Sequence, residues 1–194
     1  MLTHTYEAVF GYFDFPDIYR EMVRTAPTGA TLVELGVLAG RSACFLAVEA
    51  ANAGRGLRTI HIDNFVAIPK DHPVWQGGKL QSPDGTLYEA ARAALAATGA
   101  ERAELWKADQ HEAARRFRDG SLWAVWLDTD HAFASTAQAL REWWPRVAQG
   151  GWFGGHDYGH AWFPGVQLAV DGWAAAAGLS PTIRNGSWWV RKAD

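Results

Sequence analysis

Short apolar runs alternate with helical periods along this chain. Apolar runs predict buried strands at 31–35, 57–63, 103–107, 122–127 and, as a strand or a turn into one, 150–154. Apolar positions at helical spacing predict helices at 15–26, 41–53, 87–97, 111–118, 133–144 and 166–177. Strands that alternate with helices indicate an α/β fold, in which helices cover both faces of a mostly parallel sheet.

Two segments depart from this alternation. Asn185-Gly186 divides the run 182–190, and Asn-Gly allows the positive φ angles that a two-residue hairpin turn requires. Residues 64–86 are rich in proline and glycine without a clear period, which predicts a loop over the active-site edge. We expect one domain, 1–194, with a helical lead-in at 1–26 and a hairpin at the end.

Composition narrows the functional classes. The 194 residues carry a net charge of -3, which gives no reason to expect nucleic acid or a membrane as a partner. The lone cysteine, Cys44, excludes an internal disulfide and a cysteine-rich zinc site. No apolar run is long enough to cross a bilayer, and the first residues lack the pattern of a signal peptide. These features predict a cytoplasmic protein.

The turn after the first strand has the features of a nucleotide site, because ligands of open α/β sheets lie beyond the carboxyl ends of the strands. Gly36 would let the backbone approach a ligand, Gly40 would let the next helix pack closely, and Ser42 can cap that helix. This spacing is not the G-x-G-x-x-G of dinucleotide sites, which argues against a nicotinamide oxidoreductase. The acidic Glu34 suits a cationic ligand without phosphate, such as S-adenosylmethionine (SAM). The alternative is a tight strand-to-helix turn that binds nothing.

Two aspartates extend the predicted site. Asp63 ends the second strand and could accept hydrogen bonds from ribose hydroxyls, which favours ligand binding at the turn. Asp109 follows the third strand and could reach an adenine amino group, although an exposed loop aspartate is the alternative.

Carboxylates and imidazoles follow the next two strands. Asp128 and His131 come after the fourth strand, and His156 and Asp157 after the fifth, so they should emerge at the same sheet edge. Carboxylates suit magnesium, whereas imidazoles tolerate transition metals better. A divalent metal on Asp128 and Asp157, with His156, could hold and polarise a substrate hydroxyl. The imidazole of His131 titrates near the range that a general base needs.

A simpler interpretation stays open for these residues. Asp128 and Asp130 could cap the helix that begins near 133, and we expect at least one of them to do so. His156 and His160 could be ordinary loop histidines.

Taken together, these residues resemble class I SAM-dependent methyltransferases, and most closely the subgroup of macrolide-sugar O-methyltransferases and cephalosporin-hydroxylase-like proteins. The resemblance covers roughly 15–192 and rests on segments 33–42, 61–63, 107–110, 127–131, 150–158 and 164–166. It implies a Rossmann-like three-layer sandwich with a seven-stranded sheet whose last strand is antiparallel. It implies SAM contacts at Glu34, Gly36, Gly40, Ser42, Asp63 and Asp109. Metal-dependent relatives have an acidic pair where this chain has His156-Asp157, and their base corresponds to His131.

The leading hypothesis is therefore SAM-dependent methylation of a hydroxyl on a small molecule, with the assistance of a metal. Trp75 and Trp162 are candidates to wall the acceptor, since aromatic faces pack on apolar ring surfaces. One alternative is a non-catalytic SAM- or nucleotide-binding module, and another is an assembly protein on the same fold. An exposed tryptophan patch would favour a homo-oligomer.

Overall fold

A computed structural model of the protein describes residues 1–66 and 86–193. Seven strands of the described chain form one sheet: β1 Thr31–Leu35, β2 Arg58–Asp63, β3 Ala103–Lys107, β4 Leu122–Leu127, β5 Val147–Gly155, β6 Thr182–Arg184 and β7 Ser187–Arg191. Their order in the sheet is β3-β2-β1-β4-β5-β7-β6. Strands β1 to β5 pair in parallel, and β7 pairs antiparallel with both β5 and β6. The predicted Rossmann-like sheet is confirmed.

Helices cover both faces of this sheet. The described helices are α1 Pro16–Thr25, α2 Arg41–Asn52, α3 Leu87–Ala97, α4 Gln110–Ala114, α5 Phe133–Trp143 and α6 Pro164–Ala177. Buried residues of α4, α5 and α6 pack against one face, and those of α1 and α2 against the other, where α3 packs beside α2. Trp188 and Trp189 show the division, because neighbours along β7 contribute to opposite faces. None of the helices in the described ranges is long and apolar enough to cross a bilayer.

The amino-terminal residues lie along α2. The Leu2 nitrogen donates to Oδ1 of Asn52 at 2.6 Å, and Nδ2 of Asn52 donates to the Leu2 carbonyl oxygen at 2.9 Å. Further along, the Arg41 guanidinium donates to the carbonyl oxygens of Val9 and Gly11 at 3.2 and 3.3 Å. The lead-in therefore follows α2 towards the carboxyl end of the sheet.

Most predicted elements lie within one residue of their observed bounds, and three differ by more than that at one end. Strand β5 begins at Val147, earlier than the predicted 150, although Gly150 has a φ of 70°. Helix α4 ends at Ala114 instead of 118, because the amides of Arg116 and Phe117 bond carbonyls three residues back and tighten the chain. Helix α6 begins at Pro164, two residues early, and proline fits a first turn. Of the predicted loop at 64–86, residues 67–85, with Trp75, lie outside the described residues.

Candidate active site

The predicted nucleotide turn lies where the strand order reverses, between β1 and β4. The Asp128 amide donates to the Leu35 carbonyl at 2.8 Å, so the two strand ends stay paired beyond the sheet. Gly36 has a φ of +88°, and a Cβ added there would lie 1.7 Å from the Asp128 carbonyl oxygen. Only glycine fits this position, and the turn is thereby held directly against the residues that follow β4.

Asp63 fixes the turn from the neighbouring strand. Its Oδ2 accepts from the amides of Val37 and Leu38 at 2.8 and 3.1 Å, and its Oδ1 accepts from Phe65 at 2.7 Å. Leu38 and Phe65 both have positive φ angles, which are uncommon for such side chains. Asp63 thus holds a strained loop in place, and its predicted ribose contact stays a prediction.

The remaining predicted SAM residues lie at two helix starts. Gly40 is the N-cap of α2 with a φ of 97°, and Ser42 is buried in the first turn without acting as a side-chain cap. Asp109 is the N-cap of α4, where its Oδ1 accepts from the amides of His111 and Glu112 at 2.8 and 3.1 Å. Both helix starts therefore face the edge at which the strands end.

Glu34 differs from the direct ligand contact that we expected. Its side chain is 1% exposed; its Oε1 accepts from the Tyr19 hydroxyl at 2.8 Å, and its Oε2 lies 2.6 Å from Nδ1 of His61. The other nitrogen of His61 lies 3.0 Å from the Thr59 hydroxyl. Burial, followed by the Glu34 carboxylate, raises the pKa of Tyr19 well above its usual value. Both oxygens of Glu34 are occupied within the protein, where they join α1, β1 and β2.

Three predicted residues converge beside the glycine turn. Nε2 of His131 lies 3.2 Å from Oδ1 of Asp128 and 2.9 Å from Oδ2 of Asp157. One ligand atom from each of the three lies within 4.8 Å of the others, a spacing that suits a metal ion. His131 and Asp157 both have left-handed φ angles, 62° and 59°. Non-glycine residues held in this region cluster at functional sites, and we name these three residues the acid–imidazole cluster.

His156 lies beside this cluster but outside it. Its Nδ1 is 3.6 Å from Oδ2 of Asp157, and its Nε2 is 3.1 Å from Oδ1 of Asp14. The ring packs at 4.9 Å from that of Phe15, and the hairpin turn at Gly186 lies close to Nε2. Among the described residues, the group whose spacing could hold a metal ion contains the imidazole of His131 rather than that of His156, and metal binding itself stays a prediction.

The carboxylates set the protonation of both histidines. Burial disfavours the charged imidazole of His131, but hydrogen bonds to Asp128 and Asp157 outweigh it and raise its pKa to about 9. The same balance raises the pKa of His156 to about 9, with Asp157 as the strongest carboxylate partner. Although burial opposes it, bonds to the two imidazoles hold the pKa of Asp157 well below its usual range.

A folded-back segment covers His131. Residues 158–163 follow β5, and the ring of Phe163 stacks on His131 with centroids 4.2 Å apart. The expectation that Asp128 or Asp130 caps α5 is wrong, because Ala132 is the N-cap and no side chain caps it; Asp130 instead accepts from the Ala132 amide at 3.0 Å, ahead of the helix. His160 belongs to this segment; it is exposed, and its ring stacks on that of Phe163 with centroids 4.9 Å apart.

Sequence reasoning missed the partners that come from distant parts of the chain. Asp14, Tyr19 and His61 lie on the lead-in, on α1 and on β2, and no spacing relates them to the residues they contact. Of these three partners, only His61 could have been predicted from the sequence. It lies opposite Glu34 on the adjacent strand, where a histidine can pair with a carboxylate.

The sheet order and the glycine turn together define the Rossmann-like fold of SAM-dependent methyltransferases. The model of the family described as a methyltransferase domain matches residues 33–158, and the chain belongs to this family. SAM is the cofactor expected of such a domain. The comparison with curated proteins finds no match.

Solved structures agree on the fold. CalS11, a calicheamicin methyltransferase, is 17% identical with a TM-score of 0.69, and the match covers 92% of this chain and 77% of that chain. The O-methyltransferase NovP is 19% identical with a TM-score of 0.63, covering 92% and 79%. A putative rRNA-methylase from Clostridium thermocellum is 15% identical with a TM-score of 0.67, covering 95% and 98%. The names of these proteins indicate very different acceptors, so the fold alone does not identify the acceptor.

Proposed function

We propose that this chain transfers the methyl group of SAM to a hydroxyl oxygen of a small molecule. The observation that carries the proposal is the contact between Gly36 and the Asp128 carbonyl. It joins the turn suited to the cofactor to the acid–imidazole cluster suited to proton transfer. A cofactor at the turn and a hydroxyl at His131 would thus be neighbours, and alignment of two reactants supplies much of the rate in such reactions.

The cofactor would lie along the turn and the two helix starts. Gly36 and Gly40 set the path of the turn through their positive φ angles, Ser42 lies in the first turn of α2, and Asp63 and Asp109 provide carboxylates. Glu34 would contribute indirectly, because its hydrogen bonds hold the strand that leads into the turn. The acidic character of this edge suits a sulfonium cation.

His131 is the proposed base. SAM supplies a methyl group on a positively charged sulfur; the acceptor oxygen forms a bond to that carbon, and the carbon–sulfur electron pair stays on sulfur. His131 takes the hydroxyl proton, and the carboxylates of Asp128 and Asp157, which accept from its Nε2, stabilise the resulting imidazolium. With a pKa of about 9, the imidazole is mostly protonated at pH 7, so base action increases as the pH rises towards that value.

A divalent ion fits the same atoms. Asp128, His131 and Asp157 would hold it, and an ion bound there would polarise a hydroxyl oxygen of the acceptor. Two carboxylates with an imidazole suit a transition metal at least as well as magnesium. In that arrangement Nε2 of His131 is a ligand and cannot also take the proton.

Calorimetry and a methyl-transfer assay test the proposal. We expect SAM and S-adenosylhomocysteine to bind, and a panel of phenols and alcohols to contain a substrate. If neither cofactor form binds, the proposal is wrong. Binding without turnover of any acceptor would instead favour the non-catalytic module.

Chelation tests the role of His131. Activity that survives EDTA assigns the proton transfer to the imidazole. Activity that EDTA abolishes, and that manganese or magnesium restores, assigns His131 to the metal.

A further inference from the structure

The edge of the proposed active site carries an excess of negative charge. Within the described residues, six aspartates lie at strand ends or just beside them: Asp14, Asp63, Asp109, Asp128, Asp130 and Asp157. Several of them bond backbone amides or the imidazoles of His131 and His156, but the six carboxylates outnumber these two imidazolium cations, and their excess charge contributes to the field over the opening. A ligand with negative phosphates would meet this field as repulsion.

The long basic side chains near this edge already have partners. Arg41 donates to two backbone carbonyls of the lead-in. Lys107, at the end of β3, lies 5.6 Å from the ring centre of Tyr88, and Arg184, beside the hairpin turn, lies 5.4 Å from that of Trp189. Lys107 and Arg184 lie on the two outermost strands of the sheet, β3 and β6, so they do not converge on one diphosphate as such a group needs.

Large apolar side chains are exposed around the starts of α5 and α6, where Phe163 stacks on His131. Trp162, Phe133 and Leu168 are 59%, 53% and 63% exposed. Their positions follow from the backbone: a Cβ on Gly165 would lie 2.6 Å from the Phe133 nitrogen and 2.8 Å from the His131 carbonyl oxygen. The start of α6, with Leu168 one turn further on, therefore packs on the start of α5. We name Phe133, Trp162 and Leu168 the apolar rim.

We propose that the acceptor is an uncharged ring compound with an apolar face, and that it carries no phosphate. This inference rests on the proposed function, because it assigns the substrate class of the same site. The apolar rim would pack on the ring face, while the acidic edge would reject phosphorylated forms, nucleoside-diphosphate sugars included. Rejection by like charge provides selectivity even where the hydroxyl offered is the same.

A matched pair of ligands tests the inference by binding. Phenyl β-glucoside and UDP-glucose present the same sugar, one with a neutral aromatic group and the other with a diphosphate. We expect the protein loaded with S-adenosylhomocysteine to bind phenyl glucoside at least about tenfold more tightly, in magnesium-containing and in EDTA-containing buffer. Equal or tighter binding of UDP-glucose in either buffer overturns the inference.

Salt and variants separate the two contributions. Raising the salt concentration should narrow the preference, because screening weakens repulsion between exposed charges. Trp162→Ala should weaken binding of phenyl glucoside severalfold and Trp162→Phe much less, whereas Ile183→Ala, an exposed apolar site on β6, should not change it. A preference that salt leaves unchanged, or equal binding by all three variants, would contradict the inference.

Turnover distinguishes this inference from the proposed function. If phenyl glucoside binds more tightly than UDP-glucose but no neutral acceptor is methylated, the inferred ligand class is correct and the proposal of methyl transfer fails. If UDP-glucose is the better methyl acceptor, methyl transfer stands and the inference on substrate class is wrong.

Discussion

At the scale of single residues, His131 combines features that a structural histidine has no need of. It contacts two carboxylates, holds a left-handed backbone and stacks on an aromatic ring. A backbone held in this region costs stability that the surrounding contacts must offset. The two carboxylates that it contacts follow two different strands. The arrangement therefore forms only when the sheet has formed.

Replacement of His131 should therefore separate chemistry from binding. We expect His131→Asn to lower kcat for methyl transfer by about a hundredfold or more, since a positioned base contributes at that scale, and to leave SAM affinity unchanged. In EDTA, the activity of the unmodified protein should rise towards pH 9, and this rise should be absent in the variant. His4→Asn, which replaces a histidine in the lead-in, is the control. A variant with full activity would exclude His131 as the base.

Cys44 gives a second prediction at this scale. The thiol is buried on α2, and burial raises its pKa to about 12. Because the thiolate is the reactive form, we expect almost no reaction with Ellman's reagent at pH 8 in the folded protein. One equivalent should react in guanidinium chloride. Rapid reaction without denaturant would mean that the helix opens or that the burial is wrong.

The acidic positions at strand ends could be read from the sequence, and their partners could not. Asp128 and Asp157 follow apolar runs, and parallel strands must end at one edge, so their proximity follows from topology. That His131 rather than His156 lies between them depends on two backbone angles that no composition rule fixes. The partners of Glu34 were not predicted, because Tyr19 is brought to it by tertiary packing and His61 by the pairing of β1 with β2; its predicted cofactor contact stays a prediction.

At the scale of elements, the turn between β1 and α2 depends on one glycine. Gly36→Ala faces a strained φ and a backbone carbonyl that cannot move without parting β1 from β4. We expect a loss of at least about 2 kcal/mol in the free energy of unfolding, with SAM binding lost or severely weakened. Urea denaturation and calorimetry measure the two effects.

Gly172 in α6 provides the matched control. It lies mid-helix on the surface, and a Cβ there would meet nothing within 4 Å. Gly172→Ala should raise the stability by about 0.5–1 kcal/mol, as alanine favours a helix over glycine. If Gly36→Ala behaves like this control, the turn is not as close-packed as the structure shows.

Elements with a clear period were predictable, and those that depend on neighbours were less so. Strands β1, β3 and β4 and helix α3 have the bounds that the sequence predicted. The hairpin also formed at Asn185-Gly186, where both φ angles are positive, at 50° and 74°. The early part of β5 was missed because its pairing with β4 shifts register near Leu122, an irregularity set by the adjacent strand.

At the scale of the whole molecule, alternation of strands and helices was enough to predict the three layers and the edge where the site lies. It was not enough to predict the course of the lead-in, since residues 1–15 have no period. Their position depends on contacts such as Leu2 with Asn52, fifty residues away. Long-range pairs of this kind follow from the completed fold.

The acid–imidazole cluster and the neighbouring His156 should also make global stability depend on pH. His131 and His156 have a usual pKa near 6.5 and a folded-state pKa of about 9. Between these values the folded protein binds more protons than the unfolded chain, so the free energy of unfolding falls as the pH rises. Each histidine lowers it by up to about 1.4 kcal/mol per pH unit in this window, and the contribution is fully present below pH 6.5.

Thermal denaturation in EDTA between pH 6 and pH 9 measures this dependence. We expect the midpoint temperature to fall across the range, and the double variant His131→Asn, His156→Asn to show a much flatter profile, because neither asparagine titrates there. Added manganese should oppose the fall, since an ion that binds the folded cluster replaces the proton and stabilises that state. A midpoint that stays level or rises with pH in EDTA would mean that the two imidazoles do not hold protons between the carboxylates. The protonated state assigned to His131 at neutral pH would then be wrong.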